Sequence, residues 1–126
     1  MTRDQALLLA QGWIEAWNRK DVEAVLAHFD EAVCFTSPRA AAIVGSATVR
    51  GKGALRDYWN AAVAPIRTLR FALDHTVWDE ERQELVIVYY GEIDGRGFRA
   101  CELMRFGPAG LAVEGEAMYG AETAER

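Results

Sequence analysis

Glu102 and His75 are the two side chains whose types and spacing could carry proton-transfer chemistry. Glu102 alternates with Ala100, Met104 and Phe106, so a strand here would set a carboxylate in a row of apolar neighbours. Burial disfavours the charged form of an acid, and such a group would exchange a proton near neutral pH. The plainer alternative puts Glu102 at a cavity mouth or against an arginine such as Arg99. His75 falls in phase with Phe71, Leu73 and Val77 on the apolar face of an expected strand, and imidazole titrates closest to neutrality. Within hydrogen-bond reach of each other, or one water apart, the two would make an acid/base pair. Without that contact His75 is a core or rim residue. His28 sits at a surface-biased helix position.

Aromatic residues surround these candidates. Most must serve as core, but Trp and Tyr also bring a polar tip that orients a ligand in an apolar cavity. The expected walls are Trp13, Trp17, Phe35, Ser37, Tyr58, Trp59, Tyr89, Met104 and Tyr119. The pattern does not decide which of Tyr89 and Tyr90 faces inward. Glu114 and Glu116 alternate with Gly115 and Ala117; the small residues would leave room for a ligand and the glutamates would point out. The chain has no Gly-rich phosphate cradle, no nucleophilic serine motif and no His/Cys cluster, so neither a metal nor any cofactor is expected. Arg50, Lys52 and Arg56 form a small basic group best read as surface.

The elements that must position these residues are legible from periodicity. Asp4 to Arg19 repeats apolar residues at helical spacing, and Asp21 caps a shorter second helix with Val22, Val25, Leu26 and Phe29 inward. Ala32 to Ser37 alternates as a strand and stops at Pro38. Residues 39–50 have no firm period and read as a loop, with room for a short strand around Ala42 to Val44. A third helix spans Ala54 to Ala64, burying Leu55, Tyr58, Trp59 and Ala62, and Pro65 ends it. Four strands follow: one carrying Leu69 to Val77, then Leu85 to Ile93, Phe98 to Phe106 and Leu111 to Tyr119. Asp94-Gly95-Arg96-Gly97 marks a hairpin. This order is α+β: one domain over 1–126, with helices on one face of a curved antiparallel sheet enclosing a pocket.

The totals set the outer limits. The chain has 126 residues, 51% of them hydrophobic, and a net charge of −5. One core fits this length, and the charge gives no pull toward nucleic acid or anionic lipid. No run suits a membrane span or signal peptide, so a cytoplasmic protein is expected, with Cys34 and Cys101 as reduced thiols. A disulfide between neighbouring strands is the alternative. The sheet has more apolar positions than one helical layer can cover, notably Val86, Val88 and Tyr90 opposite Leu85, Ile87 and Tyr89. That surplus predicts a homodimer.

Four segments resemble the nuclear-transport-factor-2-like superfamily, in its SnoaL-like, polyketide-cyclase-like branch. They are Trp17 to Val25, Phe35-Thr36-Ser37-Pro38, Gly51 to Trp59, and Glu102-Leu103-Met104-Arg105-Phe106 with the strand to Tyr119. The resemblance implies a conical pocket, dimerisation through the open sheet face, and diverse functions. A more distant likeness to ketosteroid isomerase puts that enzyme's base at Ser37, its tyrosine at Trp13 and its second acid at Glu102. Only the last keeps its type, which argues against steroid isomerase chemistry. The expected function is binding of a small hydrophobic or cyclic molecule, with acid/base chemistry (isomerase, cyclase or hydrolase-like) open. The alternative is a non-catalytic dimeric binding or association module.

Overall fold

The computed structural model of this chain describes residues 1–123. Helix α1 (Arg3–Asn18) begins with a capping box: the Gln5 amide donates to the Thr2 hydroxyl at 3.2 Å, and the Thr2 amide donates to the Gln5 side chain at 2.8 Å. Two donors that a helix start leaves without partners are thereby satisfied. Ala6, Ala10, Trp13, Ile14 and Trp17 make its buried stripe. Lys20 then takes a left-handed backbone, with φ of 55°, and the chain turns into α2 (Val22–Leu26), capped by Asp21. The turn is tied to the distant sheet. Asn18 grips the Phe71 backbone from both sides, donating to its carbonyl at 3.0 Å and accepting from its amide at 2.6 Å.

Strand β1 (Phe29–Thr36) takes in Phe29, which periodicity had assigned to the second helix. After it comes α3 (Pro38–Val44), where the sequence suggested a loop or a short strand. Local chemistry explains the helix. Ser37 caps it, Pro38 has a preset helical φ, an alanine run follows, and Gly45 closes it in the left-handed region at φ 85°. Only Ala40 of this helix is buried, so no amphipathic period announces it. The short strand lies further on, as β2 (Thr48–Arg50). Helix α4 (Lys52–Val63) buries Leu55, Tyr58 and Trp59.

Strands β3 (Leu69–Asp79), β4 (Glu84–Ile93), β5 (Arg96–Phe106) and β6 (Ala112–Thr123) complete one curled, unclosed sheet of order β2-β1-β6-β5-β4-β3. Its pairings are antiparallel except β1 with β6, which are parallel. Asp94 and Gly95 form the β4–β5 turn with φ of 49° and 85°, the double positive pair of a tight hairpin. The Asp94 carboxylate also accepts from the Arg67 and Thr68 amides, both at 2.9 Å.

Strand β3 departs from simple alternation. Its register against β4 slips between Leu73 and His75, so one extra residue is accommodated there. Leu69, Phe71 and Leu73 face the core before the slip, and Thr76 and Trp78 after it. His75 and Val77 are therefore turned outward, against the expectation from phase; Val77 is 51% exposed. The core itself is aromatic. Trp59 meets Trp17 at 5.2 Å and Phe29 and Phe35 at 5.3 Å between ring centroids, all edge to face. Such pairs add about 0.5–1.5 kcal/mol each beyond the area they bury.

Candidate functional site

Between α1, α4 and the concave face of the sheet lies a cavity with a free volume of about 50 Å3. Its wall includes Trp13 and Trp17 from α1, Phe35 and Ser37 at the end of β1, Tyr58 and Trp59 from α4, and Tyr89, Glu102 and Tyr119 from the long strands. Eight of the nine expected wall residues are thus on the cavity. Met104, the ninth, is not: its side chain is fully buried in the core, one inward position beyond Glu102. Tyr89 faces in and Tyr90 faces out, where the Arg99 guanidinium lies over its ring at 5.3 Å. Ala117 lines the cavity, but the space beside Gly115 is filled by the Phe35 ring, only 2.7 Å from where a Cβ would sit. Gly115 makes room for core packing, not for a ligand.

Glu102 is 3% exposed. Ala100 and Met104 flank it along β5, and Ile87 and Ala117 stand opposite it on β4 and β6. No charged group stands among these four neighbours. Burial alone pushes the Glu102 carboxyl up to about 8, so it is largely protonated at neutral pH. Its Oε2 is buried and makes no hydrogen bond. The indole Nε1 atoms of Trp13 and Trp17 share that condition on the same cavity wall. Buried polar atoms are normally paired, because leaving one unpaired costs about 1–3 kcal/mol. Three such atoms face this one cavity.

A hydroxyl cluster accompanies them. Ser37 is fully buried, and its Oγ lies 3.2 Å from the Tyr58 hydroxyl while also accepting from the Arg39 amide. Burial raises the Tyr58 phenol and drives that of Tyr89 well up; it pushes Tyr119 up to about 12, with Ser37 offsetting part of the rise. All three phenols are therefore neutral donors at physiological pH. The positive charge of Arg39 opposes each of these rises. Arg39 also lines the cavity, as do Phe71, Leu69, Ile66 and Ile93, and none of these five was singled out from sequence. The unrecognised α3 hid Arg39. Phe71 had been assigned an inward face but no place in the site.

His75 lies outside this cavity, with its side chain 53% exposed and its Nδ1 3.3 Å from Asp74. Asp74 in turn accepts from Arg99 at 2.8 Å, and these contacts hold its carboxyl below the usual range. The expected Glu102–His75 acid/base pair is not formed, because the β3 register slip puts the two on opposite faces of the sheet. His28 is half-buried and lowered by burial, and it does not line the cavity. Arg56 of the basic group is held by both oxygens of Glu23, at 2.7 and 3.1 Å. Glu114 faces outward and accepts from Arg105. Cys34 and Cys101 are free thiols. Among the described residues no three His, Cys, Asp or Glu side chains group as metal ligands, and no helix is long and apolar enough to cross a membrane.

Residues 10–115 match the family model of the SnoaL-like domain. A SnoaL-like protein of unknown function from Burkholderia thailandensis is 31% identical, with 95% of this chain and 98% of that one covered and a TM-score of 0.85. Two more distant structures share the fold alone. A computationally designed 17-OHP binder is 21% identical over 94% of each chain, with a TM-score of 0.70. The epoxide hydrolase/cyclase-like enzyme SalBIII, described with pyran ring formation in the polyether salinomycin, is 17% identical over 95% of each chain, with a TM-score of 0.73. No curated protein matches in sequence. By a family match that spans most of its length and a close structural relative at 31% identity, this chain belongs to the SnoaL-like domain family.

Proposed function

We propose that this protein binds a small hydrophobic or cyclic molecule in the cavity and that Glu102, uncharged at neutral pH, works there as hydrogen-bond donor and acid/base group. The observation that carries this reading is the unpartnered Glu102 Oε2, buried on the cavity wall. A carboxylic acid so placed can give its proton to a ligand oxygen and take one back, since its pKa sits near working pH. The neighbours support the reading by analogy of fold, one being a designed small-molecule binder and another a cyclase-like enzyme. The free volume of about 50 Å3 is well below the roughly 300–1,000 Å3 of pockets that enclose drug-sized ligands. Binding therefore requires wall side chains to move, and Tyr119, 37% exposed, is the least confined of the aromatic ones.

Carboxyl-detected NMR titration tests the proposal. Glu102 is expected to titrate near pH 8, as its burial dictates, and to shift when a lipophilic ligand is added. An ordinary carboxylate value that ligands leave unchanged would reject it.

A second reading, a non-catalytic dimeric association module, is favoured by the convex face of the sheet. Val86, Val88, Leu103 and Cys101 are half-buried there, with Val77 and Met118 at 51% and 41% exposed. Contiguous apolar surface of this kind marks an interface. The two readings are compatible, because the cavity and this face lie on opposite sides of the sheet.

A further inference from the structure

The polar groups facing the cavity are rich in hydrogen-bond donors. The unpartnered indole nitrogens of Trp13 and Trp17 can only donate. Glu102 in its neutral form has a proton to give, and the phenols of Tyr58, Tyr89 and Tyr119 keep theirs. The one formal charge on the wall is the Arg39 guanidinium, half-buried and without a hydrogen bond or ion pair of its own among the described residues. The one carboxylate of the adjoining groove is held by backbone amides. Asp94, in the shallow groove that Arg39 shares with Arg96, Phe98 and Tyr119, accepts from the Arg67 and Thr68 amides. Arg96, the other cation of that groove, pairs with Glu122 at 3.2 Å. A partly desolvated arginine that makes no ion pair among the described residues, beside a wall rich in donors, presents a positive potential to whatever enters.

We propose that the cavity is selective for an organic anion: a flat aromatic or alicyclic carboxylate whose ring packs among Trp13, Trp59 and Tyr89 while its carboxylate meets Arg39. This rests on the ligand-binding reading above and adds the charge of the ligand and the residue that reads it. Guanidinium and carboxylate match as a two-pronged hydrogen-bonded pair, and a neutral isostere cannot reproduce that pairing. Acceptors on the ring system would then satisfy the indole N–H groups and the Glu102 hydroxyl. Arg39 acts as a specificity-determining residue here, with no part in proton transfer.

The test uses 2-naphthoate and its neutral isostere 2-naphthamide as probes, with calorimetric titration of the full chain and of Arg39→Met. Methionine keeps most of the unbranched stem, and circular dichroism with a thermal midpoint checks that the variant folds as wild type does. On wild type the acid is expected to bind about tenfold more tightly than the amide, the scale of one partly exposed charge-assisted pair. Arg39→Met should erase that preference by weakening the acid alone, and added salt should do the same. Equal affinity of the two probes on wild type, or an equal loss for both on Arg39→Met, overturns the anion selectivity and leaves the pocket reading standing. Binding of neither probe to wild type overturns both.

Discussion

Glu102 ties the proposed chemistry of the cavity to the stability of the fold. Its folded pKa of about 8 stands above the 4.5 of an ordinary glutamate, so between those values the folded protein keeps a proton that the unfolded chain has lost. Stability must therefore fall as pH rises across that interval, by at most about 1.4 kcal/mol per unit from this group, and level off above it. Glu102→Gln keeps shape and removes the titration. Urea unfolding of both proteins at several pH values should show the variant gaining on wild type as pH rises, whereas a constant difference would contradict the burial account. Ser37→Ala is expected to cost about 1–2 kcal/mol, since the hydroxyl both caps α3 and meets Tyr58; an unchanged thermal midpoint would refute that. Glu102 was legible in the sequence because β5 alternates without interruption. His75 was misplaced because a single inserted residue reverses a period of two, and nothing in Leu73-Asp74-His75 announces the slip.

At the scale of elements, legibility followed amphipathicity. α1, α4 and β5 each bury one face and show it. α3 buries one alanine, so its evidence is a serine cap, a proline and a glycine, which are weaker signals than a hydrophobic stripe. Arg39 was missed together with that helix. The joint between α1 and β3 was likewise invisible, because Asn18 and Phe71 are 53 residues apart. Asn18→Ala leaves the Phe71 amide and carbonyl without that partner at the sheet edge, and a loss of about 1–2 kcal/mol in urea unfolding is expected. Gly91→Ala should do comparable damage on β4. A Cβ there would stand 2.3 Å from the Phe98 ring, an overlap that costs about 1–3 kcal/mol to relieve. The double variant with Phe98→Leu should recover part of the loss, and a Gly91→Ala protein as stable as wild type would show that the ring simply turns away.

For the whole molecule, the consequence of a one-sided helical layer is a sheet with a bare convex face. Val88 lies at its middle, paired with His75 on β3 and Cys101 on β5. If two copies meet there, Val88→Lys should convert a dimer to a monomer in sedimentation at micromolar concentration while leaving Glu102 titration intact. A wild-type monomer under those conditions would remove the dimer from the account.

The distribution of indoles gives this protein an optical property. Of its 4 tryptophans, Trp13, Trp17 and Trp59 border the hollow, and only Trp78 lies away from it. Ultraviolet emission from the chain is thus dominated by rings that any guest would touch. Occupancy can be read from the colour and intensity of that light without attaching a dye, and the two unpaired N–H groups make the signal most responsive to a guest that accepts hydrogen bonds.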